Sequence, residues 1–270
     1  MRRKQKKHKP RGWLIAPTQV DGWLTDAGIQ LARGDFERAI ATCRRILSHL
    51  PAHAAQRVDA LRYLGNALAM LRRFEESYQV LSEAVIIAPN ESDLWYNRGL
   101  AARFTSRTAQ SVFDLERAAT LEGSGELEAK FREELALARR LAGSELALRG
   151  LGFTMTQLAE QQDLFQRALS DMAQGTWGEA ERKLRQVIAL ADVLPQPWGN
   201  LGLALMMQRR FDEAEAALRR ALEVDPHYGI ARSNLADLGR IRETGQLPQM
   251  ALTSPFDNVR VSQTIHFTQG

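Results

Sequence analysis

The sequence predicts an all-α protein that folds as a solenoid of stacked antiparallel helix pairs. Two observations carry this prediction: a ladder of residues at fixed offsets recurs along the chain, and the apolar residues within each copy follow helical spacing. Units of this kind bury their cores mainly against their neighbours, so they stack in sequence order. The clearest copy of the ladder comprises Trp198, Leu201, Gly202, Leu205, Ala214, Leu218 and Pro226.

The ladder divides the chain into repeating units. With the tryptophan position numbered as place four, units begin at residues 20, 58, 92, 161 and 195, at intervals of 38, 34, 69 and 34 residues. Place twenty always carries a small residue, which lets two helices approach closely, and the second helix is expected to end at place thirty-two. Place twenty reads Ala39, Ser77, Ser111, Ala180 and Ala214, and place thirty-two reads Pro51, Pro89, Gly123, Asp192 and Pro226.

This pattern resembles the Trp-x2-Leu-Gly-x2-Tyr…Ala-x3-Phe…Pro signature of the tetratricopeptide repeat, with Leu205 and Leu218 in place of the two aromatic residues. The resemblance implies a right-handed superhelical solenoid. It also implies about five recognisable repeats, one degenerate unit and a carboxy-terminal capping helix. Members of the family usually bind other proteins.

The units predict five segments in chain order. A capping helix is expected after the last repeat because the final hairpin would otherwise expose an apolar face. The segments are a basic tail over 1–19, expected to be disordered; three repeats over 20–125; an irregular helical bridge or degenerate repeat over 126–160; two repeats and the capping helix over 161–245; and an irregular tail over 246–270.

The bridge is the main departure from the period. Breaks are expected at Gly143–Ser144 and at 150–152, and Thr154 with Gln157 has the spacing of a capping box for a long helix that runs into the fourth unit. This stretch fits either a lengthened bridge or an ordinary repeat that has lost its signature residues through sequence drift. One face of its amphipathic helix carries Leu127, Phe131, Leu135, Ala138 and Leu141.

The net charge of +4 hides an uneven distribution. Seven of the basic residues lie in the first eleven positions, which leaves 29 basic and 32 acidic residues, about −3, in the remainder. Such a tail either binds an anionic partner such as nucleic acid in a salt-dependent manner, or is simply a solvated tail. Its basic residues are Arg2, Arg3, Lys4, Lys6, Lys7, Lys9 and Arg11.

The sequence predicts a cytoplasmic protein. The basic start is not followed by the apolar stretch of a signal peptide, because the apolar run over 13–16 ends at Pro17. No apolar run approaches the ~18–20 residues of a transmembrane helix. Cys43 is the single cysteine, so an intrachain disulfide and a cysteine-based metal cluster are excluded.

Motifs for catalysis, metal binding or cofactor binding do not emerge from the sequence. His49 and His53 are four residues apart but straddle Pro51, so one helical face does not present both. Cys43 occupies place twenty-four, an inner packing position, which indicates a buried thiol rather than a nucleophile. We therefore expect a protein that is not an enzyme and has no cofactor.

The resemblance also implies a ligand-binding groove lined by the first helix of each pair, at places two, five, nine, twelve and thirteen. Arg62 with Asn66 resembles half of a clamp for a peptide carboxylate, but Leu100 stands where the family's second asparagine is expected. The groove candidates are Arg62, Asn66, Met70, Tyr96, Leu100, Arg103, Phe104, Phe165, Leu169, Met172, Leu203, Met206 and Met207.

The leading hypothesis is a non-catalytic scaffold or adaptor that binds a peptide or helical segment of an unidentified protein in this apolar groove. One alternative is a ribosome- or nucleic-acid-associated protein that uses the basic tail. A second is a self-assembling scaffold whose carboxy-terminal tail enters a groove. The groove strip is also open to burial by the chain itself, through tight coiling or through the same tail.

Overall fold

The computed structural model describes residues 17–52, 54–123 and 127–245, which form twelve helices and no strand. The predicted all-α fold of paired helices is confirmed. Within these residues, no helix has both the length and the hydropathy needed to cross a membrane. The helices are α1 (Pro17–Ala32), α2 (Phe36–His49), α3 (Gln56–Met70), α4 (Phe74–Ile87), α5 (Ser92–Phe104), α6 (Thr108–Glu122), α7 (Glu128–Arg149), α8 (Met155–Ala173), α9 (Trp177–Leu190), α10 (Pro195–Met207), α11 (Phe211–Val224) and α12 (Gly229–Thr244).

The helices group into two compact units. Of the described residues, the amino-terminal unit holds those up to 105 together with 110–136, and the carboxy-terminal unit holds 106–109 and 137–245. In the amino-terminal unit α1 pairs with α2 and α3 with α4, while α2 packs on α3 and α4 packs on α5. Cys43 lies in this core, where burial raises the pKa of its thiol to about 12, so its predicted packing position is confirmed.

The ladder has a direct steric explanation in the second hairpin. A Cβ atom placed on Gly65 would lie only 2.6 Å from Cγ of Leu81, so α3 and α4 touch at this point. Ser77, at place twenty, is fully buried and its hydroxyl donates a hydrogen bond of 2.8 Å to the Gly65 carbonyl. In this hairpin, the close contact of the two helices therefore requires glycine at place eight and a small residue at place twenty.

The tryptophans at place four connect consecutive hairpins. Trp95 Nε1 donates a hydrogen bond of 2.9 Å to the carbonyl of Pro89, six residues earlier. Trp198 Nε1 donates one of 2.5 Å to the carboxylate of Asp192, also six residues earlier. Place four therefore binds the segment that ends the preceding unit, which explains why it recurs with place thirty-two.

The carboxy-terminal unit contains two hairpins and a closing helix. Helix α8 pairs with α9 and α10 with α11, α9 packs on α10, and α12 packs on both helices of the last hairpin. Ala231, Leu238 and Ile241 of α12 are buried in the core of this unit. The predicted capping helix is confirmed.

The bridge is more regular than its glycines predict. The expected break at Gly143–Ser144 is wrong, because α7 continues unbroken to Arg149. One exposed glycine costs a helix only about 1 kcal/mol relative to alanine, and the buried Ala138 and Ala142 hold the helix through this point. The break at 150–152 is confirmed: Gly150 and Gly152 have φ values of 87° and 92°.

Helix α8 begins with the predicted capping box. The Gln157 backbone N–H donates a hydrogen bond of 3.2 Å to Thr154 Oγ1, and the Thr154 N–H donates one of 2.9 Å to Gln157 Oε1. Both groups satisfy donors that a helix start leaves open. The helix therefore starts at Met155, ahead of the fourth unit, as the spacing predicts.

Candidate functional site

Arg62, the first polar groove candidate, is held by three carboxylates of the amino-terminal unit. Its side chain is 11% exposed and lies 2.8 Å from Asp93 and 3.3 Å from Glu91, with Asp59 also in contact. A ligand carboxylate at this position would compete with three protein carboxylates. The geometry therefore does not favour Arg62 as part of a carboxylate clamp.

Asn66 and Arg103 also have partners in the amino-terminal unit. The buried Asn66 Oδ1 accepts a hydrogen bond of 3.0 Å from Asn97 Nδ2. The Arg103 guanidinium lies 3.0 Å from the Glu134 carboxylate. These two groups join α3 to α5 and α5 to α7.

Tyr96 contacts α7. The ring is fully buried and stacks on Phe131 with centroids 4.3 Å apart, while Lys130 Nζ lies 5.1 Å from the ring centroid. Burial raises the pKa of its phenol. Tyr96 is thus buried by the chain itself, and the element that covers it is the first part of α7.

The remaining apolar candidates of the amino-terminal unit differ in exposure. Leu100 is buried, Phe104 is half-buried and stacks on Phe74 with centroids 4.4 Å apart, and Met70 is 42% exposed. Met70 is therefore the most exposed of these three side chains.

The candidates of the carboxy-terminal unit belong to its core or to the margin of the core. The half-buried members pack against the core without being enclosed by it. The core members are Met172, Leu203 and Met206, and the half-buried members are Phe165, Leu169 and Met207.

A cleft of about 450 Å³, which the sequence did not predict, lies between α1 and α3 in the amino-terminal unit. Its lining includes Leu24, Gly28, Ala32 and Tyr63. Gly28 leaves space beside Tyr63, whose ring atoms would lie 3.7 Å from a Cβ atom added there. Leu24, Gly28 and Ala32 occupy places five, nine and thirteen of the first unit, so the same numbering identifies them once that unit is included.

The carboxy-terminal unit contains a cavity of about 210 Å³ bordered by α7, α8 and α10. Phe165 is the only groove candidate from the sequence that lines it. Its apolar lining consists of Leu148, Phe165, Val187, Leu194 and Pro197, and its polar lining consists of Ser106, Glu145, Arg149, Gln161, Gln162, Gln166 and Gln196.

Arg149 brings a buried charge to the cavity wall. Its side chain is 2% exposed, and it donates hydrogen bonds to Gln161 Oε1 at 2.6 Å and to the Glu145 backbone carbonyl at 2.7 Å. The Glu145 carboxylate lies 3.6 Å away. Burial lowers the pKa of Arg149 despite this carboxylate. The guanidinium is thus fixed in place but incompletely compensated for its loss of water.

The glutamines of the cavity wall are fixed to different degrees. Gln161 Nε2 donates to two backbone carbonyls at the end of α9, at 2.9 and 3.1 Å. Gln162 Nε2 donates to the Glu145 carboxylate at 2.9 Å. Gln196 Oε1 is buried and accepts no hydrogen bond from any residue that the structure describes. The cavity therefore combines an apolar interior with a buried cation and an open acceptor.

Comparison with protein families identifies the repeats. Models described as tetratricopeptide repeat match residues 27–92 and 195–228, and the second match begins where the fifth unit begins. The chain therefore contains tetratricopeptide repeats in these two segments. Tetratricopeptide-repeat proteins typically act as non-catalytic scaffolds for protein interactions.

Several solved structures are similar to this chain, and some of them are described as tetratricopeptide-repeat domains, whereas no curated protein matches the chain. The Sgt2 TPR domain from Aspergillus fumigatus is 23% identical, covers 53% of this chain and 89% of its own, and has a TM-score of 0.44. MamA protein is 15% identical over 88% and 100% of the two chains, with a TM-score of 0.41. The TPR2AB-domain:pHSP90 complex of yeast Sti1 is 15% identical over 84% of this chain and 86% of its own, with a TM-score of 0.38.

Two predicted segments flank the tetratricopeptide repeats outside the described residues. They are residues 1–16 of the predicted basic tail, including the seven lysines and arginines between positions 2 and 11, and the tail over 246–270. The last three residues of the predicted basic tail, 17–19, belong to α1 and are helical. Within the described part of the chain, no group of three or more His, Cys, Asp and Glu side chains is arranged to hold a metal ion.

Proposed function

We propose that this protein is a non-catalytic scaffold that binds a peptide or helical segment of a partner protein along the first helices of its repeats. One observation carries the proposal: both cavities described above are lined by first helices. The amino-terminal cleft lies between α1 and α3, and α8 and α10 border the carboxy-terminal cavity. Surfaces built on packed helices are preformed, so binding a flexible segment requires little ordering of the scaffold.

Exposed apolar side chains lie among the lining residues of both sites. Ile29 is 44% exposed in the amino-terminal cleft, and Leu148 is 63% exposed in the carboxy-terminal cavity. Apolar side chains in concave surroundings are the usual anchors of a protein interface. Phe165 remains a proposed contact, and we propose that buried candidates such as Tyr96 and Met206 support the surface from below. The proposed setting is the cytoplasm, in line with the single cysteine.

The test is selection of binders from a random peptide library displayed on phage against the purified full-length chain. Selected peptides are then measured by fluorescence anisotropy against Ile29→Glu and Leu148→Glu. An apolar anchor that binds beside the new carboxylate would remove water from it without replacing its hydrogen bonds, so each peptide should lose at least about tenfold in affinity with one of these variants. Ile86→Glu is the matched control, because Ile86 is 79% exposed on α4 and lines neither site.

Two results contradict the proposal. The first is a library that yields no enriched sequence at micromolar protein. The second is a set of peptides that binds Ile29→Glu and Leu148→Glu as well as the wild type, or that loses equal affinity with Ile86→Glu. Circular dichroism of each variant checks that the helices are retained.

A further inference from the structure

The carboxy-terminal cavity has the size of one apolar side chain. An apolar cavity of about 150 Å³ holds a benzene ring, and this cavity has about 210 Å³. Leu148 is 63% exposed, so the cavity is accessible from the surface of the unit. A leucine or phenylalanine side chain fits this volume, and the ring of Phe165 forms part of the wall it would contact.

The charge beside the cavity favours an acidic group. Both hydrogen bonds described above for Arg149 go to neutral oxygens. The Glu145 carboxylate, at 3.6 Å, also accepts hydrogen bonds from Gln162 and Thr108. Arginine carries five donors, and a buried guanidinium gains most from a carboxylate that approaches closely. The lowered pKa of Arg149 agrees with a cation that burial has left short of negative charge.

The open acceptor beside the cavity favours a backbone N–H. Gln196 Oε1 is buried and has no hydrogen-bond donor among the described residues. A buried acceptor without a donor is unfavourable, and an N–H group brought by a ligand would remove that cost. A polypeptide segment supplies such a group next to each of its side chains.

Resting on the proposed function, we infer that this cavity binds an internal segment of a partner protein in which a leucine or phenylalanine lies next to an aspartate or glutamate. The apolar side chain enters the cavity and the acidic side chain pairs with Arg149. The backbone N–H of the segment donates to Gln196 Oε1.

The probe is an array of N-acetylated peptides anchored through their carboxyl ends, which presents internal segments and no free terminal carboxylate. Each peptide carries one leucine or phenylalanine beside Asp or Glu, and matched peptides carry Asn, Gln or Ala at one of the two positions. Peptides that bind are remeasured in solution as acetylated and amidated forms. Replacing the carboxylate by its amide, or the apolar residue by alanine, should weaken binding at least about tenfold.

Three variants place the binding in the cavity. Leu148→Glu adds a negative charge to the cavity lining and should abolish acid-dependent binding, while Ile86→Glu should not change it. Gln196→Leu removes the acceptor and should weaken every binding peptide. Arg149→Gln should abolish the preference for Glu over Gln. If Arg149→Gln unfolds, Leu148→Glu and Gln196→Leu still decide the result.

Several outcomes overturn the inference. They are equal binding of acidic and amide peptides, binding that requires a free terminal carboxylate, and acid-dependent binding unaffected by Leu148→Glu. If library-selected peptides instead depend on Ile29 and carry no paired acidic and apolar residues, this inference fails while the proposed function stands. If no peptide binds in either experiment, both fail.

Discussion

The third and fifth hairpins, α5–α6 and α10–α11, follow the same ladder but differ at one pair of facing places. Place seven is Arg98 in the third hairpin and Leu201 in the fifth, and place twenty-three is Asp114 in the third and Ala217 in the fifth. Arg98 Nε donates a hydrogen bond of 2.7 Å to Asp114, whose side chain is only 1% exposed. A buried ion pair therefore replaces an apolar contact at equivalent positions.

The same hairpins agree at place eight. A Cβ atom on Gly99 would lie 2.9 Å from Cγ of Leu115, and one on Gly202 would lie 2.6 Å from Cγ of Leu218. The contrast shows which places the geometry fixes. In these two hairpins the helix contact leaves room only for glycine at place eight, whereas place seven carries a charged residue in one hairpin and an apolar residue in the other.

The largest expected effect comes from breaking the ion pair of the third hairpin. Asp114→Ala leaves the Arg98 guanidinium buried without its carboxylate, so the free energy of unfolding should fall by about 3–5 kcal/mol. Urea denaturation followed by circular dichroism measures the free energy of unfolding of the variant and of the wild type. A loss below about 1 kcal/mol would show that Arg98 reaches water or another acid after the substitution.

The matched control copies the fifth hairpin into the third. Arg98→Leu with Asp114→Ala removes both charges, and such replacements of buried pairs are often neutral or stabilising.

Burial raises the pKa of Asp114, although Arg98 and Gln110 oppose the shift. The folded chain therefore holds this proton more tightly than the unfolded chain. The wild type should lose stability relative to the double variant as pH rises above the unfolded value of about 3.9.

A smaller effect is expected from filling the glycine contact that both hairpins share. Gly99→Ala and Gly202→Ala place a methyl group against Leu115 and Leu218, and overpacking of this kind costs about 1–3 kcal/mol. Because the approach in the fifth hairpin is closer, we expect Gly202→Ala to be the more damaging. Urea midpoints at constant m-value measure the difference.

Gly143→Ala is the control for the glycine series. This glycine lies in α7 with no neighbouring heavy atom within 4 Å of an added Cβ, so the substitution should stabilise the helix by about 0.5–1 kcal/mol. Equal changes in stability for all three variants would mean that helix propensity, and not the helix contact, decides the effect at place eight.

Much of the fold could be predicted from the sequence because its determinants are local and repeat. Gly65 with Ser77, or Thr154 with Gln157, act at fixed separations within one hairpin or one helix turn. The contacts that the bridge makes with the repeats have no fixed separation in the sequence. Nothing in the period indicates that Phe131 covers Tyr96, so burial of that groove candidate emerged only with the structure.

The cavity residues illustrate the same limit. Phe165 could be predicted because it occupies a groove place of the fourth unit. Arg149 lies outside the numbered units, and its position beside Gln161 and Gln196 depends on how the end of α7 packs within the carboxy-terminal unit. A repeat pattern therefore predicts the helices that form a surface better than it predicts the charges an irregular segment adds to it.

The smallest expected effect separates two serines at place twenty. Ser77 donates a hydrogen bond to the Gly65 carbonyl, whereas the buried Ser111 hydroxyl has no hydrogen-bond partner among the described residues. Ser77→Ala should lower the free energy of unfolding by about 1 kcal/mol, and Ser111→Ala should leave it unchanged or raise it. Urea denaturation of both variants measures the difference. The fifth hairpin already carries Ala214 at this place, so place twenty requires small size first and a hydroxyl only where a carbonyl faces it; equal losses at both serines would contradict that order.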